Sequence, residues 1–167
     1  CRGEPSPLPE LSIQYGDFVL WQQQWLTGKT LESQLVYWKE QLGDWRSFQF
    51  LQGIKVSSNC AGKPSRREKI ILSRCQTDSL KTFSRQEGVT SFTVLLAGFL
   101  LLLHRWTQKV DLTVGVPLAN RIHPLVEPLI GLFANILPFR SNIHWEQSFR
   151  TLLQQLHLTG LGVLSHA

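Results

Sequence analysis

The sequence predicts an α/β fold, and three observations carry that reading. Apolar residues recur at helical spacing in several long stretches. Two shorter stretches, Asp111 to Pro117 (DLTVGVP) and Asn135 to Ile143 (NILPFRSNI), have strand character. The stretches follow one another as helix, helix, strand, helix, helix, strand, strand, helix, an order that belongs to layered α/β or α+β architectures. With 43% hydrophobic and 17% charged residues in 167, the chain can bury a core and is not compositionally disordered.

Each element has its own signal. Residues 1–12, with Pro5, Pro7 and Pro9, read as an extended lead-in. From Ile13 to Trp25, Phe18, Val19, Leu20, Trp21 and Trp25 mark a helix that Thr27-Gly28 interrupts. Leu31, Leu35, Trp38 and Leu42 then form one helical stripe, with Gly43 in the position of a C-terminal cap. Residues 44–67 break every pattern through Gly53, Ser57, Ser58, Asn59, Gly62, Pro64 and Ser65, and make the candidate boundary between two halves. Lys69 to Ser73 reads as a short strand, and Thr77 as the cap of a helix ending at Glu87 and Gly88, with Leu80 and Phe83 inward. Thr90 or Ser91 caps the next helix, which is apolar on every side through Trp106 and is expected to lie buried between layers. Pro138 assigns the second strand to an edge or a bulge. Phe149, Leu152, Leu153 and Leu156 give a last amphipathic helix.

Composition also excludes several functions. A formal net charge of +5 suits a phosphate-bearing partner. The basic cluster Lys63, Arg66, Arg67, Lys69 and Arg74 lacks interleaved aromatic residues, so it reads as solvated linker and not as a nucleic-acid surface. Cys1, Cys60 and Cys75 are odd in number and far apart, which fits a reducing, cytoplasmic setting. The longest apolar run, Phe92 to Leu103, is about half of the ~20 residues of a membrane span. The five histidines, His104, His123, His144, His157 and His166, never fall at metal-pair spacing. No GxSxG, HExxH or GxxxxGK[ST] word occurs, and Gly160 to Ser165 ends a helix, where no dinucleotide loop is built. Residue types alone thus give no catalytic residue, no metal site and no bound cofactor. A chain that begins with Cys1 and contains no Met is expected to be an internal piece of a longer protein.

Four words in order say more. Ile13 to Gln22 (IQYGDFVLWQ) resembles the YxDYAVW motif of the condensation domain of nonribosomal peptide synthetases, and Leu35 to Leu42 (LVYWKEQL) continues in that family's style. Val114 to Arg121 (VGVPLANR) resembles its VGxPxANR segment, and Leu129 to Arg140 (LIGLFANILPFR) its IGxFVNTxxxR motif. The resemblance implies part of a chloramphenicol-acetyltransferase-like fold. In it, residues 1–43 are the terminal helices of the N-terminal lobe, 44–67 the crossover linker and 68–167 the first half of the C-terminal lobe. It also implies the family's reaction, amide formation between carrier-bound acyl and aminoacyl thioesters. Partners would be carrier proteins bearing phosphopantetheine, or neighbouring synthetase domains, with no nucleic acid and no membrane.

The family's HHxxxDG motif is absent from this sequence, so the chain is expected to be inactive alone. The alternative is a non-catalytic remnant that binds carriers or serves as a scaffold. Ala134 and Ile136 depart from IGxFVNT, and Ile136 removes a hydroxyl. Tyr15, Asp17, Trp21, Gly131 and Phe133 are motif residues expected to be structural. Asn120, Arg121, Asn135 and Arg140 are the candidates for lining the pantetheine or acceptor channel, Arg121 also being able to tie two loops together. His166, next to the last residue, matches the His of the family's HQDxPFE word and is expected to be poorly ordered.

Overall fold

Helix starts are fixed by side chains that satisfy orphan backbone groups. Ser73 caps a helix at Arg74–Gln86: its Oγ accepts the Gln76 N–H at 3.2 Å, and the Gln76 side chain accepts the Ser73 N–H at 2.9 Å. Thr90 accepts the Thr93 N–H at 3.1 Å and starts the helix Ser91–Thr107. Ser148 does the same for the Thr151 N–H, also at 3.1 Å. In the computed structural model, which describes residues 9–44, 69–121 and 123–167, the elements are α1 (Tyr15–Trp25), α2 (Gly28–Leu42), α3 (Arg74–Gln86), α4 (Ser91–Thr107), β1 (Asp111–Leu118), a 3-10 turn (Pro124–Val126), β2 (Asn135–Asn142) and α5 (Phe149–Ser165). Most of the crossover segment, with Cys60, Lys63, Arg66 and Arg67, lies outside the described residues, as does Cys1.

β1 and β2 pair as a two-stranded ribbon. The Ile143 N–H donates to the Val110 carbonyl at 2.9 Å, and a Cβ on Gly115 would meet Ile136, so the strands run antiparallel. In β2, Leu137, Phe139 and Ser141 are buried on one face while Ile136, Pro138, Arg140 and Asn142 are exposed or half-buried on the other, the period of two of a half-buried strand; Asn135, at the strand's start, is exposed. Pro138 fits because, among the described residues, no third strand pairs with β2, so a missing N–H on its outer edge leaves no ladder bond unmade.

The described residues of Cys1–Gly43, Thr113–Phe139 and Gly162–Ala167 form one compact unit, and those of Asp44–Leu112 and Arg140–Leu161 form a second. In the second, Leu96, Ala97, Leu100 and Leu103 of α4 and Leu152, Leu153 and Leu156 of α5 are buried, together with Val89, Leu112 and Ile143. Ser84 of α3, nearly fully buried, donates to the Leu80 carbonyl at 2.7 Å and so carries its hydroxyl inward at little cost. Buried His104 donates from Nδ1 to the Lys109 carbonyl at 2.7 Å, a packed structural histidine. Arg140 forks onto Asp111 (Nε to Oδ1 2.9 Å, Nη2 to Oδ2 2.7 Å) and reaches Asp44 through Nη1 at 2.5 Å. All three lie at or beside the ends of this unit's two segments, so one guanidinium gathers them.

Three expectations are corrected. Lys69–Ser73 is not a strand: Ile70 is 89% and Ile71 75% exposed, and among the described residues no strand pairs with them. The helix that follows starts at Arg74, under the Ser73 cap, and not at Thr77, whose hydroxyl turns back to the Ser73 carbonyl. Helix α4 is buried on one face only. Phe92, Leu95, Phe99, Leu102 and Trp106 form an exposed stripe on the other, since the described residues provide one covering layer and not two.

His166 is also better held than a chain end normally is. Its ring lies parallel to Tyr37 at 3.9 Å between centroids, and its Nδ1 donates to the Gly162 carbonyl at 2.8 Å. Its own carbonyl accepts the Trp38 indole N–H at 3.0 Å. A Cβ on Gly162 would come 2.7 Å from the Tyr37 hydroxyl oxygen, so the glycine admits α2. Burial pushes the Tyr37 phenol above its ordinary 10.0.

Two measurements check these contacts. His166→Ala removes a stacked ring pair and a hydrogen bond, and should lower stability by about 1 kcal/mol, or about 2–4 °C in Tm, while His166→Phe keeps most of the stack and loses less. Separately, hydrogen bonding and charge from Arg140 hold the Asp44 carboxyl below its ordinary 3.8. A depressed carboxylate contributes stability that is present above its unfolded pKa and lost as pH falls through the folded one. Thermal unfolding of the wild type and Asp44→Asn should therefore differ at pH 6 and converge below about pH 3.8, with the wild type the more stable at the higher pH.

Candidate functional site

The first unit is organised around the start of α1. Gln14 caps the helix, and the Asp17 carboxylate accepts the Gln14 N–H at 2.8 Å. That start sets Tyr15, Phe18 and Val19 on one face by i, i+3, i+4 spacing. Phe18 is buried with Val126, Leu129 and Phe133, and Ile13, Tyr15 and Val19 pack against that cluster. The Phe133 ring sits 4.8 Å from Phe18 and meets Tyr15 edge-on at 5.3 Å. The Tyr15 hydroxyl donates to the Leu132 carbonyl at 2.9 Å.

The segment after β1 is shaped by two of its own side chains. Asn120 takes φ 50°, a left-handed conformation that asparagine tolerates better than most residues, and the chain turns there. Arg121 Nη1 then donates to the carbonyls of Val126 (2.5 Å), Leu129 (3.0 Å) and Glu127 (3.1 Å). Its guanidinium carbon lies 4.3 Å from the centre of the Phe133 ring. The His123 side chain accepts the Leu125 N–H at 3.2 Å through Nδ1 and opens the 3-10 turn. Gly131 lies so close to Tyr15 that an added Cβ would overlap the ring.

Between α1 and this turn lies a cavity of about 380 Å³, lined by Ile13, Asp17, Phe18, Trp21, His123, Leu125 and Val126. Trp21 stacks on Trp25 at 5.6 Å and continues the aromatic wall. Apolar walls with a carboxylate and an imidazole can hold and orient an apolar body. Among the described residues no three His, Cys, Asp or Glu side chains converge to hold a metal.

The structure thus brings Tyr15, Asp17, Trp21, Asn120, Arg121, Gly131 and Phe133 into one unit. Asn135, the first residue of β2, belongs to the same unit and is exposed, whereas Arg140 belongs to the other unit, held by Asp44 and Asp111. Sequence reasoning passed over His123, Ile13, Leu125 and Val126 as parts of a cavity. Their one signal was the Pro124 that follows His123, which fixes a turn and hence a wall. It also passed over the two aspartates, because pairings across 96 and 29 residues leave no local pattern.

Gly131→Ala should force the Tyr15 ring out of place and cost about 1–3 kcal/mol in denaturant unfolding. In a Tyr15→Ala background the same change should cost clearly less, because the atoms it strikes are gone.

A family model described as Condensation domain matches residues 2–167. A linear gramicidin synthase of Brevibacillus parabrevis is 38% identical over 164 residues, which is 98% of this chain and 2% of that protein. Phosphinothricin tripeptide synthetase PhsC of Streptomyces viridochromogenes is 35% identical over 98% of this chain and 15% of its own length. The chain therefore spans a small part of these relatives. Among solved structures, the first condensation domain of the calcium-dependent antibiotic synthetase superposes with TM-score 0.80 at 22% identity, over 98% of this chain and 36% of that one. The SgcC5 protein of Streptomyces globisporus gives 0.79 at 24%, with the same coverage. At these identities the likeness shows the fold.

Proposed function

Since the chain belongs to the condensation-domain family, we propose that it serves as part of a nonribosomal peptide synthetase domain that joins two carrier-bound thioesters through an amide. In that reaction the amine of the downstream aminoacyl group attacks the thioester carbonyl of the upstream acyl group. A C–N bond forms, the C–S bond breaks, and the amine's proton leaves as the carrier thiol is released. The reading is carried by one observation, the family match over residues 2–167, which encloses all four motif words. The same sequence lacks HHxxxDG, so the proposal assigns this chain a positioning part in the reaction and no proton transfer.

Within that proposal, residues 1–43 close the N-terminal lobe and 68–167 open the C-terminal one. Asn135, with its amide exposed, contacts the pantetheine arm directly, since an amide offers both donors and acceptors to the arm's own amides. Asn120, Arg121 and Arg140 act by shape: the asparagine sets a turn, and the two arginines hold backbone and strand ends in place. The carrier arm belongs to a partner, and no cofactor of the chain's own is invoked.

The test is a direct assay. Purified chain mixed with acyl- and aminoacyl-loaded carrier proteins should give no amide product above the rate without protein, measured by mass spectrometry of the released arms. Steady turnover by this polypeptide would show that the assignment of a purely positioning part is wrong.

A further inference from the structure

We propose that the cavity beside α1 is a binding site for a hydrophobic primary ammonium ion, an alkyl- or arylalkylammonium compound of up to about ten heavy atoms. This goes beyond the family reading and does not depend on it. The volume, about 380 Å³, lies in the range of small-molecule sites and exceeds what one side chain fills. Its walls are Ile13, Phe18, Trp21, Leu125 and Val126, which reward an apolar body by the area they remove from water. Trp21 and Phe18 add aromatic faces against which a ring can stack.

The charge at the rim chooses among apolar ligands. Asp17 lines the cavity, and its Oδ2 accepts the Gln14 N–H. Among the described residues Oδ1 has no further partner, so it is open to an ammonium group. His123 lines the same cavity with Nδ1 engaged by the Leu125 N–H. In that tautomer its other nitrogen carries the proton, and it can donate to an oxygen of the ligand but adds no second negative charge. A cation with an apolar tail therefore meets a carboxylate and apolar walls together. A neutral analogue forgoes the first, and an anion is repelled by it.

Full-length chain, isotopically labelled, is titrated with 2-phenylethylammonium, with 2-phenylethanol of the same shape, and with 3-phenylpropanoate. Binding should be saturable with Kd roughly in the millimolar range, and should shift the resonances of Trp21, Leu125 and Val126. Because Asp17 is exposed, the preference for the ammonium over the alcohol should be about threefold and should shrink with added salt. Asp17→Asn retains an oxygen for the Gln14 N–H, so the helix start survives while the preference falls to near one. Trp21→Ala should weaken ammonium and alcohol alike. Equal binding of the two ligands by the wild type, a preference that persists in Asp17→Asn, or shifts confined to residues away from the cavity would each overturn the proposal.

Discussion

A single guanidinium holds the segment between the strands in its shape. Arg121 gathers three carbonyls, those of Val126, Glu127 and Leu129, and lies over the ring of Phe133. Among its described residues, the segment that carries those carbonyls has one short 3-10 turn, so its backbone acceptors need donors from elsewhere. A guanidinium meets that need while laying its flat, weakly hydrated face over the Phe133 ring, which a lysine's compact and strongly hydrated ammonium does not do. Once the segment is folded around Arg121, Val126, Leu129 and Phe133 face Phe18, and the cavity acquires its second wall.

The motif words owe their spelling to this arrangement. In the first, Asp17 closes the helix start and Tyr15 and Phe18 enter the core. In the third, Asn120 supplies the left-handed turn that directs Arg121. In the fourth, Gly131 makes room for the Tyr15 ring and Phe133 receives the guanidinium. Residues far apart in sequence are thus chosen against one another, and a change in one word alters the fit of the next. The departure at Ile136 is accommodated because its side chain is 70% exposed on β2.

Periodicity made the helices legible. The stripes of α1, α2 and α5 and the two strands fall where apolar spacing and turn residues place them, because those signals act over a few residues. Lys69–Ser73 misled because an apolar run looks the same whether or not a partner strand lies beside it. α4 misled for the complementary reason, its sequence recording a need for cover on both faces while the described residues supply cover on one. His166 carried no local sign of order, since the groups that fix it, Tyr37 and Trp38, lie 129 and 128 residues away. The cavity was invisible for the same reason, its walls coming from two segments about a hundred residues apart.

Hydrogen exchange at the backbone amides of the 123–133 segment, compared between the wild type and Arg121→Lys, tests the role given to the guanidinium most directly. Lysine keeps the charge and loses the flat group that lies over Phe133 while donating to the carbonyls, so a charge effect alone would leave exchange unchanged. The account predicts clearly faster exchange from Leu125 to Phe133 and at the start of α1, with α3 and α4 unaffected. Unchanged exchange in that segment, or an equal loss of protection throughout the chain, would contradict it.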